Sequence, residues 1–292
     1  MPDFRQPAPG VTLAEVCGLV NLPAVPGSVT GVTLDSRAVQ PGDLYAALPG
    51  ANTHGARFAA GAVELGASAI LTDPEGAGMA GDLGVPLLIV ADPRSVLGAV
   101  SVLVYGHPAQ QLRTFGVTGT NGKTTVTYML AAALEELGAP TGTIGTTGTF
   151  VAGRRIPTAR TTPEAPDVQA LMALMADEGA QALAMEVSSH ALTLGRVDGI
   201  RFDVAAFTNL SPDHLDFHGS MSAYFAAKAS LFTSERASCG IINVDDEWGR
   251  QLADGTKIPH TTYALSGPAD WQVNDIEAAA RGSSFTVLHG DR

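Results

Sequence analysis

The sequence predicts an α/β protein with a small N-terminal α/β domain, followed by a larger central domain whose mainly parallel sheet is flanked by helices. Short runs rich in β-branched residues alternate along the chain with longer segments of helical periodicity. Frequent glycine (33) and proline (18) residues separate these segments. A glycine-rich loop also stands between a predicted strand and a predicted helix near the middle of the chain. The length of 292 residues fits two domains at roughly 150 residues each.

The first domain is predicted to span residues 1–107 and to alternate strands with helices. Its strands are predicted over residues 32–35, 44–48, 69–72 and 85–90, and its helices over residues 56–65 and 93–105. Gly66 is placed to end the first helix, and Pro93 fits the first turn of the second. Residues 106–111 combine helix breakers with polar side chains, which indicates a domain boundary.

The central domain, residues 108–292, is predicted to begin with strand 112–117, a glycine-rich loop and helix 123–137. Further strands are predicted over residues 182–187, 202–207 and 240–244, and further helices over residues 164–176 and 221–234. Parallel strands wound with helices bring their ligand-binding loops to the carboxyl ends of the strands. The residues that carry chemistry are therefore expected at that edge of the sheet.

The charge balance excludes one class of ligand. The chain has 17 Lys and Arg against 29 Asp and Glu, a net charge of −12, so non-specific binding of nucleic acid is not expected. An anionic ligand must be held by local groups such as backbone N–H groups, a helix N-terminus, a few cations or a metal ion.

The two cysteines, Cys17 and Cys239, suit a reducing compartment. Residues 1–10 show no signal peptide and no apolar run has the length of a membrane span, so a cytoplasmic protein is predicted.

The strongest motif is the glycine-rich loop between the predicted strand 112–117 and the predicted helix 123–137. It consists of Gly119, Thr120, Asn121, Gly122, Lys123, Thr124 and Thr125. In such a loop the glycines let the backbone approach phosphate, the lysine bridges terminal phosphates and the following hydroxyl can bind Mg²⁺. The central domain is therefore predicted to be of the P-loop type, although the standard spacing has a glycine where this chain has Val117. The alternative interpretation is an ordinary glycine turn beside an exposed lysine.

An acidic residue ends another predicted strand. Glu186 closes an apolar run, so the strand delivers its carboxylate to the carboxyl edge of the sheet, where it can bind Mg²⁺ beside a phosphate loop. The alternative is a strand-end acid that faces water. Ser188 and His190 follow closely, but no G-x-S-x-G turn surrounds them, which argues against a hydrolase triad.

The segment 209–219 follows a predicted strand and is dense in possible ligands for a metal or a phosphate, including Asp213, His214 and His218. A transition-metal site would need three or more of these side chains to converge, and their spacing alone does not require it. A solvated, turn-rich loop is the alternative interpretation.

Lys228 is a cation on the apolar face of the predicted helix 221–234, at i+4 from Tyr224 and i−3 from Leu231. A lysine in such a position commonly extends to solvent. If the amine is buried instead, it loses its proton more easily and can react with CO₂ to form a carbamate, which offers oxygen ligands. A carbamate beside Glu186 and His214 would complete a second cation site.

With these motifs in order, the chain resembles the Mur ligases, and within them the MurE type, which adds the third amino acid to UDP-N-acetylmuramoyl-L-alanyl-D-glutamate. The resemblance covers nearly the whole chain. It rests on residues 34–37, 41–44, 119–125, 161–163, 185–192 and 209–219, together with Lys228. Some family members have Asn where this chain has Arg160, and Gln where it has Leu194.

The resemblance implies a set of ligands and of residues that bind them. ATP would bind on residues 119–125, and the catalytic residues would be Lys123, Glu186, His214 and Lys228. Mg²⁺ would be held by Thr124, Glu186, His214 and a carbamylated Lys228. The muramoyl substrate would be bound at its uridine nucleotide by Leu34 and Ser36, and at its peptide by Thr161, Thr162, Ser188 and Arg196.

The resemblance also implies the reaction and its partners. A substrate carboxylate attacks the γ-phosphate of ATP to give an acyl phosphate and ADP, and the amine of an amino acid then displaces phosphate to form the amide. Diaminopimelate, lysine and ornithine stay open as the amino acid, because a third, C-terminal domain distinguishes them and the chain is expected to lack it. A monomer without nucleic-acid or membrane partners is expected.

Two other functions are compatible with the motifs. A non-catalytic nucleotide-binding module would have the phosphate loop without the ligase reaction. A folylpolyglutamate synthetase-like ligase would share the loop and the chemistry, but Asp35-Ser36-Arg37 in the first domain argues against it.

Overall fold

The computed structural model describes residues 4–5, 8, 10–279 and 282–290. The first part of the chain begins with a short antiparallel pair, β1 (Val11–Thr12) and β2 (Ser28–Val29). A parallel sheet follows, with the strands in the order β3 (Gly31–Thr33), β4 (Asp43–Ala46), β5 (Ala69–Thr72) and β6 (Leu87–Ile89). The helices here are α1 (Leu13–Leu19), α2 (Ala59–Glu64), α3 (Pro74–Ala80) and α4 (Pro93–Val104). The segment 1–10, for which the sequence predicts no signal peptide, lies partly outside the described residues.

The second part of the chain forms a larger sheet. Its strands are β7 (Arg113–Thr118), β8 (Thr141–Gly145), β9 (Gly148–Val151), β10 (Arg154–Ile156), β11 (Ala182–Glu186), β12 (Phe202–Phe207), β13 (Ala237–Asn243), β14 (His260–Ala264), β15 (Trp271–Ala279) and β16 (Gly282–His289). Its helices are α5 (Lys123–Glu136), α6 (Ala165–Asp177), α7 (Ser189–Thr193), α8 (Leu215–His218), α9 (Met221–Ala229) and α10 (Glu247–Gly255). Across the described ranges of the chain, no helix is long and apolar enough to cross a membrane.

The order of the strands in this larger sheet places β7 near its middle, where the connections to neighbouring strands run in opposite directions. The order is β10-β9-β8-β11-β7-β12-β13-β14-β15-β16, parallel from β8 to β15 with antiparallel hairpins at both edges. Strand β7 lies between β11 and β12 and is parallel to both. Strand β11 is buried along its whole length, as is usual when helices cover both faces of a parallel sheet. The carboxyl end of β7, where the neighbouring connections diverge, is the expected position of a ligand site.

The structure confirms the α/β class and the mainly parallel central sheet, but it corrects several elements. The predicted helix 221–234 ends at Ala229, because the amides of Leu231 and Phe232 bond back only three residues, in tight turns. Both side chains are buried, so the apolar periodicity continues past the end of the helix. The predicted helix 56–65 is a 3₁₀ turn, Gly55–Phe58, followed by α2. Strands β8 to β10 and β14 to β16 were not predicted from the sequence. Of these, β8 is the glycine- and threonine-rich segment Thr-Gly-Thr-Ile-Gly.

Helix α6 packs on both parts of the chain. Its Leu171 is buried in the core under the larger sheet, and its Ala170 is buried in the core of the first part. Helix α4 of the first part packs against α6 and against the turn that follows α7. The first part of the chain is thereby packed against α6 and the turn after α7.

Replacing Gly98 in α4 by alanine is expected to destabilise the protein. A Cβ at this position would lie 2.5 Å from the carbonyl oxygen of Asp198, in the turn after α7. Because the clash is with backbone, we expect a loss of about 1–3 kcal/mol in the free energy of unfolding, although alanine normally gains about 1 kcal/mol over glycine in a helix. Gly61→Ala in α2 is the control, since nothing lies within 4 Å of a Cβ there. If chemical denaturation shows the same gain in the free energy of unfolding for Gly98→Ala as for Gly61→Ala, this contact is contradicted.

Candidate active site

The glycine-rich loop lies at the carboxyl end of β7 and leads into α5. Gly119 has φ +144°, and a Cβ there would lie 1.9 Å from the hydroxyl oxygen of Thr208. Gly122 has φ +85° and is the residue before the first turn of α5. Both glycines are therefore required by the backbone, and the N-terminus of a 14-residue helix opens onto the loop. This is the arrangement that binds phosphate through backbone N–H groups.

The loop is fixed by hydrogen bonds from the segment after β12. The amide of Thr120 donates to the carbonyl of Asn209 (2.9 Å), and the amide of Asn121 donates to the Asn209 side chain (3.0 Å). The Thr208 hydroxyl donates to the carbonyl of Asn121 at 2.6 Å, and the Ser211 amide donates to the Thr120 hydroxyl at 3.0 Å. The loop is thus held in one shape by residues about 90 positions away.

Lys123 lies on this loop. Its Nζ donates to the carbonyls of Gly119 and Thr120, both at 2.9 Å. Burial lowers the pKa of Lys123, while the charges of Glu186 and Asp213 act in the opposite direction. Lys123 is therefore half-buried and not the exposed lysine of the alternative interpretation, while binding of phosphate by the loop stays a prediction.

Glu186 is buried at the carboxyl end of β11 and is not a solvated strand-end acid. It is 1% exposed. Its Oε1 accepts hydrogen bonds from the Thr124 hydroxyl (2.9 Å) and the Thr146 amide (2.7 Å), and its Oε2 accepts one from the Thr146 hydroxyl (3.2 Å). Thr146, which was not predicted from the sequence, lies in the turn between β8 and β9. The oxygen atoms of Thr124 and Glu186 form a donor set that suits Mg²⁺.

Lys228 is buried and does not extend to solvent. It is 1% exposed, its Nζ donates to the carbonyl of Gly119 at 2.8 Å, and it lies 4.6 Å from the centre of the Tyr224 ring. Burial, reinforced by the positive charge of Lys123 and opposed by Asp213, lowers the pKa of Lys228 to about 7. The amine is therefore neutral in a large fraction of molecules near pH 7, as reaction with CO₂ requires.

Lys228 is expected to make the stability of the protein rise with pH above neutrality. Its pKa of about 7 in the folded protein lies below the 10.5 of an ordinary lysine. Between these values the unfolded chain binds more protons, so the free energy of unfolding rises by at most about 1.4 kcal/mol per pH unit. Lys228→Met should remove this slope in chemical denaturation in CO₂-free buffer. Lys257→Met, at an exposed position, is the control and should keep the slope. A slope that persists in Lys228→Met would contradict the burial of a titrating amine.

His214 lies on an exposed segment beside other rings. Its backbone has φ 51°, and its ring is 4.8 Å from that of His190 and 6.2 Å from that of Tyr224. His214 and Lys228 thus both lie beside the Tyr224 ring. Within the described ranges, no group of three or more His, Cys, Asp or Glu side chains could hold a metal ion. The metal set of Thr124, Glu186, His214 and Lys228 stays a prediction, of which the pair Thr124 and Glu186 is in direct contact.

The residues predicted to bind the peptide surround the end of β11. The Thr161 and Thr146 hydroxyls are 3.1 Å apart. The Thr162 hydroxyl donates to the carbonyl of Glu186 at 2.8 Å and accepts from the Ser188 amide at 3.2 Å. Arg196 donates through Nη1 to the carbonyl of Thr162 at 3.4 Å. The structure therefore brings these four residues together beside Glu186.

A cavity of about 930 Å³ lies between the first sheet and the segment that leads to Thr162. Leu34 and Ser36, the residues predicted to bind the uridine nucleotide, line it. Its wall also includes Arg94, Glu164 and Asp167, polar residues that were not predicted from the sequence. Burial raises the pKa of Asp167 to about 6, although Arg5 acts in the opposite direction.

Two family models match the chain over consecutive ranges. The model described as Mur ligase family, catalytic domain, matches residues 28–115, and that described as Mur ligase middle domain matches residues 117–292. The UDP-N-acetylmuramoyl-L-alanyl-D-glutamate--2,6-diaminopimelate ligase of Streptomyces coelicolor is 51% identical over 280 residues, which are 94% of this chain and 55% of the relative. The ligase of the same name from Corynebacterium glutamicum is 46% identical over 267 residues, which are 89% of this chain and 52% of the relative.

Solved structures share the fold. A structure titled UDP-N-acetylmuramoyl-L-alanyl-D-glutamate--2,6-diaminopimelate ligase has a TM-score of 0.79 at 28% identity, covering 96% of this chain and 58% of that one. A MurF ligase from Thermotoga maritima in complex with ADP has a TM-score of 0.62 at 19% identity, covering 89% of this chain and 57% of that one. The chain spans about half the length of the relatives that it matches.

Proposed function

The chain belongs to the Mur ligase family, and on this premise we propose that the whole protein is an ATP-dependent ligase. It adds 2,6-diaminopimelate to UDP-N-acetylmuramoyl-L-alanyl-D-glutamate, a step in the synthesis of peptidoglycan precursors. The names of the relatives support diaminopimelate among the three amino acids that the sequence analysis left open. The nucleotide-linked substrates imply a cytoplasmic reaction.

The observation that carries the proposal is that three features adjoin at one edge of the central sheet. The phosphate loop ends β7, and Glu186 is fixed against Thr124 at the end of β11. The segment 157–164 lines the large cavity and also places Thr161 beside Thr146 and Thr162 on the Glu186 carbonyl. A substrate bound in the cavity can therefore extend a reactive carboxylate toward the phosphate loop.

The residues of the loop fit ATP. The N-terminus of α5, which opens onto the loop, would bind the phosphates, and Lys123 would add a charge-assisted hydrogen bond to the terminal ones. Thr124 and Glu186 would hold Mg²⁺, which offsets the negative charge of the phosphates when it is bound. Thr146 would keep the Glu186 carboxylate in place, since it donates two hydrogen bonds to it.

The chain's residues then support two transfers by positioning. The substrate carboxylate attacks the γ-phosphorus, forms an acyl phosphate and releases ADP, while Lys123 stabilises the negative charge of the transferred group. The amine of diaminopimelate next attacks the acyl carbon, and phosphate and one proton leave as the amide forms. Thr161, Ser188 and Arg196 would orient the peptide for both steps. Neither step needs a protein nucleophile, in keeping with the absence of a G-x-S-x-G turn in the sequence.

The experiment that tests the proposal measures ADP release by the full-length protein. Release should require both UDP-N-acetylmuramoyl-L-alanyl-D-glutamate and diaminopimelate, and lysine or ornithine should substitute poorly. ATP binding without this double dependence would overturn the proposal in favour of a non-catalytic nucleotide-binding module. ADP release that depends on a folate and glutamate would favour a folylpolyglutamate synthetase-like ligase.

A further inference from the structure

One buried carboxylate lies among three arginines beside the large cavity. Glu164, the residue before α6, is 8% exposed. Its oxygens lie 2.9 Å from Nε of Arg196, 3.3 Å from Nη1 of Arg94 and 3.3 Å from Nη1 of Arg160. Three positive charges thus surround one negative charge. Asp167, which lines the same cavity, lowers the excess of positive charge from two to one when it is ionised. The cluster retains positive charge that can attract another anion.

Glu164 links an arginine from the first part of the chain with arginines from the second part. Arg94 belongs to the first turn of α4, and its Nη1 also donates to the carbonyl of Leu194 at 3.2 Å. Arg196 follows α7, and its Nη1 donates to the carbonyl of Thr162 at 3.4 Å. The buried Nε–H of Arg196 makes no hydrogen bond despite its 2.9 Å distance from Glu164, because it is not aimed at the oxygen. The Arg196 guanidinium is therefore held by charge without a bidentate pair, and it keeps N–H groups for a ligand.

We propose that Glu164 is a positioning residue for the anionic UDP-linked substrate, acting by holding Arg94 in place at the wall of the cavity and Arg196 next to it. This inference rests on the proposed function. The substrate class carries a diphosphate and carboxylates, the groups that guanidinium N–H forks bind best. Free arginines repel one another and lose side-chain entropy when they are ordered by a ligand. A carboxylate that orders them beforehand removes part of that cost from the binding step.

The test compares full-length wild-type protein with Glu164→Gln, which keeps the size of the side chain and removes its charge. We expect the Kd and KM for UDP-N-acetylmuramoyl-L-alanyl-D-glutamate to rise about tenfold or more, while kcat and the KM for ATP change by less than about twofold. A merely structural role would instead lower the melting temperature and change all of these constants together. Glu164→Asp, which keeps the charge, should bind the substrate more tightly than Glu164→Gln.

A double variant and a control separate the cluster from a general charge effect. In Glu164→Gln combined with Arg94→Gln, the loss in binding free energy should be smaller than the sum of the two single losses, because both changes act on one contact. Glu178→Gln is the control. Glu178 follows the other end of α6, where it pairs with Arg154 at 2.6 Å, and its replacement should leave substrate binding unchanged.

The outcomes distinguish this inference from the proposed function. An unchanged or lower Kd for the UDP-linked substrate in Glu164→Gln would overturn the inference, since the carboxylate would then be neutral or compete with the substrate. If the wild-type protein binds this substrate but releases no ADP, the proposed reaction fails and the comparison of Kd values still decides the role of Glu164. If the wild-type protein does not bind the substrate, both fail.

Discussion

Replacing Lys123 by alanine in the full-length protein is expected to lower ATP-dependent turnover by about 100-fold or more. The ammonium group lies on the phosphate loop, 2.9 Å from the carbonyls of Gly119 and Thr120, in a protein whose net charge is −12. Without it, a substrate carboxylate would approach the triphosphate without the positive charge that this side chain brings to the loop. Steady-state release of ADP and the affinity for ATP both measure the effect.

Lys257→Ala is the matched control for this experiment. Lys257 is exposed and lies after α10, so its replacement changes the net charge equally without touching the loop. Turnover and ATP affinity should stay at the wild-type values. If Lys123→Ala also binds and hydrolyses ATP normally, the loop does not bind the triphosphate and the proposed reaction loses its basis.

The glycine-rich loop between β7 and α5 was predictable because its signals are local. A strand, two glycines and a lysine in order suffice to predict it, even with Val117 at a position where the standard motif has glycine. The reason why this departure is tolerated was not predictable. The loop takes its shape from Thr208 and Asn209, and nothing in the local sequence indicates which distant segment will bond to it.

Contacts between distant segments account for the other missed features. Thr146 binds Glu186 across 40 positions, and it lies beside the glycine- and threonine-rich strand β8, which has the composition of a turn. Arg94 and Glu164 meet across 70 positions, because α4 packs on α6. Lys228, in contrast, could be singled out from the local sequence. A cation on an apolar helix face conflicts with the pattern around it, and such a conflict often marks a functional position.

In this negatively charged chain, two sets of cations lie where anions would bind. Lys123 and Lys228 both donate to the carbonyl of Gly119, at 2.9 Å and 2.8 Å. A second set of cations lies around Glu164. Because long-range attraction is absent, affinity for nucleotides must come from these short-range contacts. Binding of ATP and of the UDP-linked substrate should therefore depend on single residues more than on ionic strength.

Replacing Glu186 by glutamine is expected to lower kcat by about 100-fold while the fold is retained. The amide oxygen of glutamine can still accept hydrogen bonds from Thr124 and Thr146, so the packing at the end of β11 keeps its donors satisfied. The lost charge is the one that would hold Mg²⁺ beside the phosphate loop. The concentration of Mg²⁺ required for half-maximal turnover should rise in the variant, and its melting temperature should stay close to that of the wild type.

Glu135→Gln is the matched control for Glu186→Gln. Glu135 also accepts a hydrogen bond from a backbone amide, that of Thr141 at 3.0 Å, but it is exposed on α5 away from the loop. It should leave both kcat and the Mg²⁺ requirement unchanged. Gly145→Ala offers an independent route to the same loss, because its Cβ would lie 2.4 Å from Oε1 of Glu186 and displace the carboxylate without removing its charge. If Glu186→Gln keeps the wild-type Mg²⁺ requirement, the carboxylate only supports the turn at Thr146, and the metal must be bound elsewhere.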